Sequence, residues 1–210
     1  MKNGAAPIDG ERFDRVTMLI HWITLAMIAV QFSTAWMRAQ ASGDQATLIL
    51  LVHRSNGVLL WGLTVARLLW RAARGRKVAL PAATPALQRL AARITQYGLY
   101  GLLAVQPLTG MAQSVLRGKA FPLFFGDMPA LMARDKALVR LFEAIHEQGA
   151  LLLLALIGLH TGAALFHRFV LRDGVLASML PRNFSRAGNN HGPVAVLPVE
   201  NHQYGSPDDE

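Results

Sequence analysis

Apolar residues fall into four long blocks, at about 16–37, 48–70, 94–116 and 142–171. Each exceeds the roughly 20 residues a helix needs to cross a bilayer. Lipid offers no partner for a backbone amide, so a segment inside it must bond within itself, as a helix does. The pattern therefore predicts an all-α protein, an integral membrane four-helix bundle of four transmembrane helices. Polar connections separate the blocks. Residues 71–93 carry Arg74, Arg76, Lys77, Pro81, Pro85 and Arg89, and residues 117–141 carry Pro122, Gly126 and Pro129. Phe121, Phe124 and Phe125 in the third connection, between helices three and four, are expected at the membrane interface. The expected organisation is a short tail over 1–15, a bundle over 16–182, and a disordered polar tail over 183–210 rich in Gly, Asn and Pro.

Orientation follows from the basic residues, which collect in cytoplasmic loops. Fourteen of the 21 Lys and Arg residues flank the N-terminus, the second connection and the C-terminal side, and seven flank the opposite ends. Both termini are thus expected in the cytoplasm. Charged residues make up 16% of the chain, against about 25% in soluble domains. The net charge of +8 sits between apolar blocks, which suits membrane topology and not nucleic-acid binding. The first apolar block is too long for the core of a cleavable signal peptide. There is no cysteine, which removes disulfides, iron–sulfur ligation, thiolate zinc sites and covalent haem attachment.

Five of the seven histidines lie in the apolar blocks: His21, His53, His146, His160 and His167. Ionisable groups inside a membrane are costly and mark function, although one near a helix end can simply reach the headgroups. Depth and face argue for more. In an antiparallel bundle, His21 lies near the cytoplasmic end of the first helix and His53 near the periplasmic end of the second. His146 and His160 are 14 residues apart on the fourth helix, about 21 Å, and only about 40° short of four full turns. They share one stripe, one at each level. The pairs His53 with His146 and His21 with His160 each join two helices at one depth, as two axial imidazoles of a haem require. Four histidines split between two levels cannot converge on one zinc, and no Asp or Glu lies mid-span to support a proton-coupled transporter. Gly57, Gly62, Gly149, Gly158 and Gly162 stand near these histidines; they suit a flat ring against the backbone, or plain helix packing.

His167 follows His160 by seven residues, near the cytoplasmic surface. It can reach a quinone or a haem propionate, or rest as an interfacial histidine beside Arg168. Arg15, Arg67 and Arg71 are candidates to meet the propionates of a cytoplasmic haem, and Arg54 those of a periplasmic one. Positive-inside anchoring is the competing account, preferred for Arg71 and Arg15; Arg67 is the more pointed, since it precedes the end of its apolar block. Arg117, Lys119, Arg134, Lys136 and Arg140 form a basic periplasmic rim that can steer a small anion, although Asp127, Asp135 and Glu143 partly cancel it.

Several of these residues stand in recognisable strings. His21-Trp22, Leu51-Val52-His53-Arg54-Ser55-Asn56-Gly57, Ile145-His146-Glu147, Gly158-Leu159-His160-Thr161-Gly162-Ala163-Ala164 and Met179-Leu180-Pro181-Arg182 resemble the bacterial cytochrome b561 family over about 12–182. The resemblance implies a four-helix bundle with two haem b groups, His21, His53, His146 and His160 as axial ligands to haem iron, and electron exchange with quinone. Some members oxidise periplasmic superoxide and reduce ubiquinone. The resemblance also carries a possible quinone role to His167. Helix three opens with histidines in some members, whereas here the segment reads Arg93-Ile94-Thr95-Gln96-Tyr97, so no ligand is assigned there. The expected function is therefore superoxide oxidation coupled to ubiquinone reduction, in an electron-transfer enzyme with no assigned catalytic side chain. The alternatives are a relay subunit anchoring a separate dehydrogenase or hydrogenase, and a non-haem transporter.

Overall fold

A computed structural model of the chain describes residues 13–74, 85–172 and 175–180. The tails, most of the second connection and the expected disorder of 183–210 lie outside the described residues. Four long helices are present among them: α1 Arg15–Gln40, α2 Gly43–Ala73, α3 Ala86–Leu116 and α4 Lys136–Phe166. All four are longer at one or both ends than the apolar blocks, because each continues into polar turns, and side chains cap two of them. Asp14 caps α1, accepting from the Thr17 amide at 2.9 Å and the Thr17 hydroxyl at 2.6 Å. Asp135 caps α4, accepting from Ala137 and Leu138. Only Ala41 and Ser42 separate α1 from α2, and Gly43 begins α2 at φ +59°, a left-handed conformation that favours glycine. So short a turn makes α1 and α2 antiparallel neighbours.

The connection from α3 to α4 holds a small hairpin, which the apolar pattern does not predict. β1 Phe121–Leu123 pairs antiparallel with β2 Gly126–Met128, Phe121 opposite Met128. The hairpin folds back on α2: the Phe124 amide donates to the Ser55 hydroxyl at 2.9 Å. Phe121 is buried, with the Arg54 guanidinium 4.8 Å from its ring centre. Phe124 and Phe125, at the hairpin tip, are exposed. After α4 a π turn runs His167–Leu171, and a 3-10 turn at Ala177–Met179 returns to α1. There the Trp22 indole donates to the Met179 carbonyl at 3.1 Å and the Phe13 amide to Ser178.

α1 packs on α2, α2 on α3, and α3 on α4. α4 makes no comparable close approach to α1 or α2. One residue from each helix forms the central cluster, Ile28, Leu60, Leu103 and Leu153. Around it the polarity is inside-out. The buried set includes Thr24, Thr34, Ser55, Asn56, Thr64, Thr95, Gln106, Thr109 and Ser114, while Leu19, Leu25, Val30, Leu152, Leu154 and Leu159 face outward. Buried hydroxyls satisfy themselves on the preceding turn, as Thr24 does on Ile20 and Thr64 on Leu60. In water such a surface would drive aggregation; in lipid it is the ordinary arrangement.

α1, α2 and the helical run from Lys136 to Leu171 are each long and apolar enough to cross a membrane. α3 falls short of that measure, although its apolar block predicts an equal span. Gln96, Gln106, Gln113, Arg89, Arg93 and the internal Pro107 dilute its apolar character. Its polar residues turn inward between α2 and α4, with Thr95, Gln106, Thr109 and Ser114 all buried.

Asp14 also accepts from the Trp70 indole at 3.1 Å, tying the start of α1 to the end of α2. Burial alone would raise its carboxyl pKa, but hydrogen bonds from Thr17 and Trp70 outweigh it and hold the group below the ordinary value of 3.8. A depressed carboxyl stabilises the fold above its unfolded pKa and loses that contribution as pH falls through the folded one. Asp14→Ala should therefore destabilise the protein by about 1 kcal/mol at neutral pH, read as a lower thermal midpoint in detergent. The difference from wild type should shrink below about pH 4.

Candidate functional site

The four intramembrane histidines meet in two pairs, as their spacing predicted. The rings of His53 on α2 and His146 on α4 have centres 6.3 Å apart, inclined at 75°. Those of His21 on α1 and His160 on α4 are also 6.3 Å apart, at 65°. α4 runs unbroken through both positions, so the pairs lie about 21 Å apart along it. Both pairs reach across the sides where α4 stands off from α1 and α2. A metal–imidazole bond of about 2 Å on each side, with each ring centre about 1 Å behind its nitrogen, places two rings about 6 Å apart. The spacing is that of two imidazoles able to share one iron. Among the described residues, no three His, Cys, Asp or Glu side chains gather where they could hold a metal ion, so the available donor sets are these pairs.

The His53–His146 end opens into a cavity of about 330 Å³ lined by Gly57, Gly110, Pro107, Arg38, Arg54 and Arg117, among others. That volume is within the range of small-molecule sites, about 300–1,000 Å³. Glycine supplies the room. A Cβ on Gly110 would stand 3.0 Å from the His146 ring, and one on Gly57 would stand 2.9 Å from the Gln31 amide nitrogen. Gly149 is closed to a side chain by Gln106 at 2.5 Å, whereas Gly62, Gly158 and Gly162 face open space within 4 Å. The sequence reading had Gly57 and Gly149 beside the histidines but missed Gly110, which stands on the helix that carries none of the four.

Each histidine at this end is held through Nδ1. His53 Nδ1 lies 2.9 Å from the Thr34 hydroxyl, which donates its own proton to the Val30 carbonyl at 2.7 Å. His146 Nδ1 lies 3.0 Å from the Thr109 hydroxyl, which donates to the Gln106 carbonyl at 2.8 Å. A hydroxyl with its proton committed can only accept, so each Nδ1 carries the hydrogen and each Nε2 keeps its lone pair. Thr34, Thr109, Gln31 and Gln106 were absent from the sequence-based candidates.

The arginines separate by environment. Arg54 donates from Nε to Ser114 at 3.1 Å and lies over Phe121. Arg67 stands 3.4 Å from His21 Nδ1 and 5.4 Å from the centre of the Tyr100 ring, and its buried Nε has no hydrogen-bond partner. A buried guanidinium N–H without an acceptor is costly and suits an anionic oxygen. Arg71 also lies over Tyr100. Arg15 is exposed at the first residue of α1. His167 is half-buried at the start of the π turn, its ring 6.4 Å from that of Phe166.

A family model described as prokaryotic cytochrome b561 matches residues 12–182. The chain belongs to the prokaryotic cytochrome b561 family. It is 29% identical over 173 residues to cytochrome b561 homolog 1 of Escherichia coli (strain K12), covering 81% of this chain and 98% of that protein. It is 30% identical over 184 residues to cytochrome b561 homolog 2 of the same organism, covering 85% and 96%. A Yersinia pestis protein named probable superoxide oxidase CybB is 28% identical over 163 residues, covering 78% and 92%. Membership makes the chain a bacterial membrane protein that binds haem b and transfers electrons. The orphaned Arg67 donor, the glycine-lined cavity and the paired imidazoles all fit that cofactor. Gly110→Val should push the His146 ring aside: the purified protein should carry less haem by pyridine haemochrome assay, with helix content by circular dichroism unchanged.

Proposed function

We propose that this cytochrome b561 family member holds two haem b groups, one between His53 and His146 and one between His21 and His160, and oxidises superoxide while reducing ubiquinone. The equal ring separation in both pairs, one pair at each end of a single bundle, carries the reading. Haem b, when bound, supplies one-electron chemistry that neither imidazoles nor guanidiniums possess. The protein supplies ligation, orientation and charge. Two superoxide anions each lose one electron and leave as dioxygen; one ubiquinone gains both electrons and two protons and leaves as ubiquinol.

The residues divide this work by position. Arg38, Arg54 and Arg117 line the cavity at the His53 end together with Glu147, and Arg117 is paired with Glu143; Arg38 and Arg54 leave the cavity a positive field that concentrates a small anion. Arg54, fixed by Ser114 and Phe121, and Arg67, with its unpartnered Nε, are the residues to meet propionates at the two ends. Arg15, exposed and preceding the apolar run, anchors α1 at the interface. His167, near the His160 end, is the side chain to face a quinone. The inner membrane, with both termini cytoplasmic and the hairpin end periplasmic, follows from the bias of Lys and Arg. The Yersinia pestis relative, through its printed name, supports the choice of superoxide.

His53→Ala and His160→Ala should each lose one haem of two, measured per chain by pyridine haemochrome. A superoxide pulse given to the oxidised protein with excess ubiquinone should yield ubiquinol. Haems that stay oxidised under the pulse would defeat the superoxide reading, and would favour a relay subunit if quinol still reduced them. Arg38→Ala should slow haem reduction by superoxide at low ionic strength, with the difference fading as salt screens the field.

A further inference from the structure

The two histidine pairs are not held alike. On α1 the string Gln31-Phe32-Ser33-Thr34 and on α3 the string Gln106-Pro107-Leu108-Thr109 place the same Gln-x-x-Thr unit against one histidine each. In both, the threonine hydroxyl lies beside Nδ1, at 2.9 Å for His53 and 3.0 Å for His146. In both, the glutamine carbonyl faces the same ring; for His146 it lies 3.1 Å from Nδ1. In both, the glutamine side chain presses on a glycine one turn past the histidine, Gln31 on Gly57 and Gln106 on Gly149. Both threonines are buried, at 8% and 6% exposure, so no water competes for the bond.

The other pair lacks these acceptors. His21 Nδ1 faces the Arg67 guanidinium, a donor, at 3.4 Å. Among the described residues no hydroxyl or carbonyl takes a proton from His21 or His160. An acceptor on Nδ1–H makes an imidazole a more basic ligand, and such outer partners tune the metal they never touch. A stronger donor favours the ferric state and lowers the reduction potential. Cations stand at both ends, Arg67 beside His21 and Arg38, Arg54 and Arg117 around the His53 cavity, so the feature that separates the pairs is the hydroxyl acceptors on His53 and His146.

We propose that Thr34 and Thr109 are positioning residues that hold the haem at the His53–His146 pair at a lower reduction potential than the haem at the His21–His160 pair. The inference rests on the two-haem reading above. It gives the bundle a built-in direction, with electrons favoured to pass from the hairpin end toward the end that carries Arg67. Backbone carbonyls alone would orient a histidine; two buried hydroxyls with committed protons add ligand basicity as well.

The test is a potentiometric titration of the purified holoprotein, followed at the haem absorbance bands, for wild type, Thr34→Val, Thr109→Val and the matching serine variants. Each valine variant should raise one midpoint and leave the other in place. The expected shift is roughly tenfold in the oxidised-to-reduced ratio at fixed potential, which is about 59 mV for one electron. Serine keeps the hydroxyl and should restore the wild-type value. Two haems, each still bound by two imidazoles, with both midpoints unmoved in the valine variants would overturn the proposal. A wild-type protein holding one haem, or lacking bis-imidazole spectra, would instead overturn the two-haem reading itself. Should valine unload the haem, the ordering is read on His53→Ala: its remaining haem should titrate at the higher of the two wild-type midpoints. The lower value would refute the ordering.

Discussion

A helix held away from its neighbours is the constraint on which the rest of this bundle depends. α4 packs on α3 but stands off from α1 and α2. All four paired histidines project across that separation, two of them from α4 itself. A bundle of apolar helices in lipid gains by closing such gaps, since dispersion contacts between helices drive association there. Keeping the sides open requires that α4 be held from the α3 side and that small residues clear the space. Gly110 and Gly57 clear it at the hairpin end, and the Ile28, Leu60, Leu103 and Leu153 cluster fixes the helices between the two pairs. The spacing of the rings is then a property of the whole bundle, with no local turn or loop setting it.

Polarity supports the same end. The interior holds threonines, serines, an asparagine and a glutamine where a soluble bundle would hold leucines. Most bond to carbonyls of their own helix and cost little. A few reach across: Asn56 donates to the Met27 carbonyl at 2.9 Å, Gln106 donates to the His146 carbonyl at 2.9 Å, and Thr34 and Thr109 face histidines. These cross-helix bonds are worth more in hydrocarbon than at a wet surface, because water offers no alternative partner. They also explain the low hydropathy of α3. Its polar residues look inward to His146 and Arg54, through Gln106, Thr109 and Ser114.

Much of this was legible in the chain. The four helices, the antiparallel order and the two histidine pairs follow from apolar length and from a 14-residue separation on one helix. Those signals are long-range and periodic, so they survive without coordinates. The short features did not survive. The hairpin at 121–128 contains Pro122 and is only three residues a strand, below the length at which alternation can be read. Thr34 and Thr109 resemble any threonine in a membrane helix, where a hydroxyl usually bonds back to its own turn. The one signal that could have found them was the repeated Gln-x-x-Thr string on α1 and α3, visible only once those helices are set beside His53 and His146. Gly110 was passed over because its helix carries no histidine of the four, so nothing in sequence tied it to a site.

The claim that everything else requires is that each imidazole pair grips one iron. Near-infrared magnetic circular dichroism of the oxidised wild-type protein, combined with haem and protein quantification on the same sample, addresses it most directly. The account predicts two haem b per chain, both low-spin and both with the charge-transfer signature of two axial imidazoles. A single haem per chain, or any iron bound by fewer than two imidazoles, would contradict it.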